Sequence, residues 1–243
     1  MQKEIISDYK IEAYKQRETY ISTINHDLKI PTLAQIRALE LLADGSLGGL
    51  NPQQSEIVNL TLDSCRSMYE MMSNILYSYK YENLEIIPNI EKFDVVKLLN
   101  DCFDMFQTLC KKDINAKIKS AKSQMCIFAD KEQFKKAVQN LLGYCFSSAD
   151  DNVFCDLNFN SSNLFLTFSF ENLYMKNTGF KNMFNRFTTS DEKLDKIGTN
   201  IRLYLAKQII TANKGELYLK TNRTKFTCTV KMPLGFSDEI FKL

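Results

Sequence analysis

The chain has 243 residues, 44% hydrophobic and 25% charged, with a formal net charge of +2 from 31 basic and 29 acidic residues. That is enough apolar material for two domains, and charges of both signs are interspersed, which excludes a nucleic-acid surface built on a basic stripe. No apolar run approaches the ~20 residues that span a bilayer, no signal-peptide pattern is present, and seven cysteines without C-x-x-C spacing read as reduced thiols of a cytoplasmic protein.

The first predicted element is a helix. Apolar residues recur at Ile21, Ile24, Leu28, Leu33, Ile36 and Leu39, a helical spacing. The one histidine of the chain, His26, lies in Ile24-Asn25-His26-Asp27-Leu28-Lys29-Ile30-Pro31. It is two residues from both Ile24 and Leu28, about 200° around the helix, and so faces away from their stripe. Pro31 cannot donate to the carbonyl of Asp27 and predicts a kink just past the histidine. These features suit a nucleophile that a second protein or domain must reach. They equally fit a surface histidine beside an ordinary proline kink. With one histidine and no cysteine cluster, no metal site is expected.

Gly45-Ser46-Leu47-Gly48-Gly49-Leu50-Asn51-Pro52 is a turn cluster, and Ile57, Leu60, Ser64, Met68, Met71 and Ile75 form a second amphipathic run. A helical hairpin buries only one seam, so a homodimer closing a four-helix bundle is the natural completion of its core. Ile87-Pro88-Asn89 marks a junction. The helical domain is assigned to residues 1–86 and a second domain to residues 92–243.

The second domain mixes helices and strands. Val95 to Leu109, Lys131 to Phe146 and Ile201 to Ala212 read as helices. Ala116 to Ile118 and Cys126 to Phe128 are short strands. Val153 to Phe159 and Leu164 to Phe170 flank Asn160-Ser161-Ser162-Asn163, a hairpin signal, and Leu217 to Lys220 and Lys225 to Met232 close the domain. The expected fold class is therefore α plus α/β: an N-terminal helical hairpin, forming a dimeric four-helix bundle, followed by a two-layer α/β sandwich.

His26-Asp27-Leu28-Lys29-Ile30-Pro31 resembles the phosphoacceptor box of the sensor histidine kinase family. The hairpin resembles that family's dimerisation and histidine-phosphotransfer domain. Asp130, Phe134, Val138 and Asn140-Leu141-Leu142 are similar to the asparagine-box helix, Met183-Phe184-Asn185-Arg186-Phe187 to the phenylalanine box, and the run from Gly198-Thr199-Asn200 to Ile210 to the second glycine box. The resemblance covers roughly residues 15 to 235. It implies an ATP-binding α/β sandwich, a homodimer, and a response-regulator receiver domain as partner. His26 is then the nucleophile, with Asp27 holding the other ring nitrogen and Lys29 near the phosphoryl oxygens. Asn140, Glu171, Gly198 and Thr199 stand at nucleotide-binding positions.

The departures carry as much weight as the matches. Tyr144 stands where the family has a magnesium-ligating asparagine, and a phenol is a poor substitute on a cation that demands oxygen ligands at ~2.1 Å. Ser147 replaces a phosphate-binding lysine. Glu171-Asn172-Leu173-Tyr174-Met175 aligns with the first glycine box, with Glu171 for its aspartate and Leu173 and Met175 for its glycines; Asn200 and Arg202 replace glycines of the second. Glycine serves phosphate loops because backbone N–H groups must approach closely, so side chains there are expected to occupy the nucleotide's space. Arg202 itself offers a guanidinium to an anion. The chain has eight glycines, about half the usual ~7% share, and only Gly179 and Gly198 fall in this region. Ile30 replaces the threonine or asparagine that positions water for dephosphorylating the partner, which implies weak phosphatase activity.

Three functions fit these residues. In the first, His26 accepts a phosphoryl group from, or returns it to, a receiver aspartate, and the nucleotide domain is vestigial, with no cofactor. In the second, the chain is an ATP-dependent histidine autokinase with an atypical site and Mg-ATP as cofactor. In the third, it is a non-catalytic dimeric module that binds receivers.

Overall fold

The computed structural model describes residues 2–83, 85–109, 114–173, 197–222 and 224–235. It divides into two compact units, Met1–Lys80 and Tyr81–Leu243. The division falls before residue 86 because the last turn of the second helix belongs to the second unit: the Tyr81 hydroxyl donates to Gln133 Oε1 at 3.0 Å, and Tyr204 donates to Glu82 Oε1 at 2.6 Å.

The first unit is built from α1 (Gln2–Ala43) and α2 (Pro52–Glu82). The connection uses Gly45 and Gly48 at φ of 80° and 113°, a region that favours glycine. Helix α2 then starts on a reciprocal cap: Gln54 N–H donates to Asn51 Oδ1 at 2.8 Å and Asn51 N–H donates to Gln54 Oε1 at 3.0 Å, with Pro52 at the first helical position. Arg66 meets Glu40 at 2.8 Å and Lys29 meets the Tyr69 ring, which sets an antiparallel register.

The residues buried on these helices are mostly not those of the predicted apolar stripes. Asn25, Thr32 and Ile36 are buried on α1, and Leu62, Met72, Asn74 and Ser78 on α2. Ile24, Leu28 and Leu33 are exposed, as are Ile57, Leu60, Met68 and Met71. The apolar stripe of each helix therefore lies outside the intrachain seam, which is partly polar. Helix α1 also runs unbroken through Pro31. Pro31 still leaves the Asp27 carbonyl without its i+4 donor, and next to it the buried Thr32 hydroxyl donates to Leu28 O at 2.7 Å.

The second unit contains β1 (Ile90–Asp94), α3 (Val95–Leu109), β2 (Asn115–Ser120), β3 (Cys126–Asp130), α4 (Lys131–Ser148), β4 (Asn152–Phe159), β5 (Asn163–Glu171), α5 (Ile197–Ala212), β6 (Glu216–Asn222) and β7 (Lys225–Pro233). Strand β1, not predicted from sequence, pairs antiparallel with β3. The other five strands form a mixed sheet in the order β2-β4-β5-β7-β6, antiparallel except for β2 with β4. The parallel pair is joined by a crossover that includes α4, as parallel strands require.

Strand alternation makes the core. Val153, Cys155 and Leu157 of β4, Leu166, Phe168 and Phe170 of β5, and Phe226, Cys228 and Val230 of β7 are buried on one face. They meet Leu99 of α3, Leu141 of α4 and Leu203 and Ile209 of α5, which are equally buried. The opposite face carries Phe154, Thr167, Lys225 and Tyr218. Helix α4 is set by Asp130, whose Oδ1 accepts from Gln133 N–H and whose Oδ2 accepts from Asn89 N–H, both at 2.9 Å. Gly215 closes the α5–β6 junction: a Cβ there would meet Met232 Sδ and lie 2.8 Å from the Lys231 carbonyl, so no larger residue fits.

Candidate functional site

Helix α1 presents His26 to solvent, with 72% of its side chain exposed. Its Nδ1 lies 3.3 Å from Asp27 Oδ1. Such an exposed contact adds little stability. It does favour the tautomer with the proton on Nδ1, which leaves the lone pair on Nε2. No described residue contacts Nε2, and Ile30, one turn on, is exposed and offers no hydrogen bond beside it. Lys29 takes a different direction. Its ammonium sits 5.4 Å from the Tyr69 ring centroid in the hairpin seam, and its pKa is lowered by burial and then by Lys80. The structure thus brings Asp27 to His26 and commits Lys29 to α2.

The second group of predicted residues is dispersed. Asn140 is buried on α4. One turn later, Tyr144 enters an aromatic cluster in the core, with ring centroids 5.8 Å from Phe170 and 5.0 Å from Phe226, which themselves stack at 4.8 Å. Burial pushes its pKa well above the ordinary phenol value, an effect that nearby Ser148 only partly offsets. The exposed Ser147 donates to the Tyr144 carbonyl at 3.0 Å.

Glu171 does not join Asn140. Strand alternation puts Phe170 against the helices and Glu171 on the opposite face, where it lines a cavity with Ser169 and Lys225. Leu173 is 72% exposed, and its N–H donates to Asp150 Oδ2 at 2.8 Å. This corrects the expectation that the Leu173 side chain fills a nucleotide's space: it points to solvent. Gly198, Thr199 and Asn200 lie in the first turn of α5, and their side chains, like Met175, Gly179 and the Met183–Phe187 run, lie outside what is described. Arg202 reaches from α5 to α4, where its Nη1 would be 3.4 Å from a Cβ added to Gly143. A methyl at 143 would only touch that guanidinium.

No family model matches the sequence. Among curated proteins, the chain is 21% identical over 229 residues to the sensor protein VanS of Enterococcus faecium, covering 91% of this chain and 58% of VanS. It is 18% identical over 231 residues to the sensor histidine kinase WalK of Bacillus subtilis, covering 93% of this chain and 38% of WalK. Its fold matches the histidine kinase AdeS of Acinetobacter baumannii with a TM-score of 0.61 at 15% identity, covering 87% of this chain and 98% of that one. The sequence is thus similar to sensor histidine kinases, and the fold to that of a histidine kinase.

The chain spans about half the length of the curated relatives it matches, 58% of VanS and 38% of WalK. No helix among the described residues is long and apolar enough to cross a membrane. For a histidine kinase relative, two features of this site escaped sequence reasoning. One is the packing of Tyr144 on Phe170 and Phe226. Its signal was the run of aromatic residues at alternate positions of β5. The other is the Gly143–Arg202 contact, whose signal was a glycine inside a strongly helical stretch.

Proposed function

We propose that this chain acts in two-component signalling as a phosphotransfer protein, with His26 exchanging a phosphoryl group with an aspartate of a response-regulator receiver domain. The observation that carries this reading is the single exposed histidine whose Nδ1 is held by Asp27 and whose Nε2 is open. In the forward step Nε2 attacks the phosphorus of an aspartyl phosphate. The N–P bond forms, the acyl-phosphate O–P bond breaks, and the receiver aspartate leaves as carboxylate. Asp27 takes up the Nδ1 proton as positive charge develops on the ring, and the reverse step returns it. In-line positioning and charge neutralisation dominate such transfers. Because Lys29 is engaged with Tyr69, neutralisation falls mainly to the partner.

The same reading holds that this domain does not use Mg-ATP. Tyr144 supports it: the phenol is buried against the rings of Phe170 and Phe226, and a phenol is a poor ligand for magnesium. Glu171 facing the other side of the sheet supports it further. The retained Asn140 is what favours the second reading, an ATP-dependent autokinase.

The test uses a receiver carrying radiolabelled aspartyl phosphate. Label should appear on this chain as an acid-labile, base-stable phosphohistidine and be lost in His26→Gln. Asp27→Asn should slow transfer by on the order of 10²-fold without abolishing it. A receiver that binds the chain tightly yet never transfers label would leave only the binding module. Label arriving from Mg-ATP alone, with micromolar nucleotide binding by calorimetry, would establish the autokinase.

A further inference from the structure

We draw no further inference here: the strongest candidate, the edge strand β2 with Lys117 and Lys119 exposed beside Phe154 of β4, carries nothing, because lysines on an edge strand already serve to keep that edge from pairing and nothing in the structure shows what would cover them.

Discussion

Tyr144 shows how one side chain becomes bound to its new surroundings. Its ring meets Phe170 and Phe226 in the core. Restoring the family's residue by Tyr144→Asn would leave a cavity between those rings and put an amide where no described polar group waits for it. The expected loss is about 3–5 kcal/mol, the usual range for removing a buried aromatic ring, with no gain of magnesium-dependent nucleotide binding. Tyr144→Phe keeps the rings and should cost only about 1 kcal/mol. Chemical denaturation and calorimetry on the same two variants check both halves; nucleotide binding in Tyr144→Asn would show that the phenol alone excludes it. The buried thiols make a second residue-level prediction. Burial raises the pKa of Cys102 from 9.0 to about 11, and burial also raises those of Cys145, Cys155 and Cys228. The folded protein keeps these protons at a pH where the unfolded chain has lost them. Stability is therefore fully present below about pH 9 and falls as pH rises through the folded values. Urea midpoints should decline between about pH 9 and 11, and a flat profile there would contradict the shifts.

The elements most legible in the sequence are those whose signals are local. The β4–β5 hairpin was readable because Asn160 turns the chain by its own side chain, with Oδ1 accepting from the N–H groups of Ser162 and Asn163 at 2.9 and 2.8 Å. Helix α4 was readable from its periodicity, starting after the Asp130 cap. Strand β1 was not: it is five residues long, follows a proline and buries only Phe93. The hairpin of the first unit shows a different limit. Apolar spacing located both helices but did not say which residues line the intrachain seam, because periodicity reveals that a stripe exists and not what covers it. Asn25, Thr32, Asn74 and Ser78 give that seam a polar character no hydrophobic pattern displays. The site divides in the same way. His26 and Asp27 are adjacent in sequence and were found there. The partners of Tyr144 come from β5 and β7, many residues away, and were not. The direction of Glu171 was available in principle, since it follows the buried Phe170 in an alternating strand.

At the scale of the molecule, the unpartnered stripes point to self-association. Ile24 and Leu28 on α1 and Ile57, Leu60, Met68 and Met71 on α2 are all exposed large apolar residues of the first unit. The α2 members, spaced by three, eight and three residues, fall on one side of a helix. Fully burying one such side chain contributes about 1.5–3 kcal/mol, so partial burial of six per protomer in a symmetric pair outweighs an association cost of roughly 4–15 kcal/mol. A four-helix bundle of two hairpins covers both stripes at once and leaves the polar intrachain seam as it is. We therefore expect a homodimer at micromolar concentration by sedimentation equilibrium. Ile57→Glu combined with Leu60→Glu should shift it to monomer while helicity is retained, because both residues are exposed within one chain and their loss opens no intrachain cavity. His26 lies off the Ile24–Leu28 stripe, so His26→Gln should leave the dimer unchanged and separate assembly from chemistry. A stable monomer of the unmodified chain at those concentrations would refute the bundle, and the exposed stripes would then require a different partner.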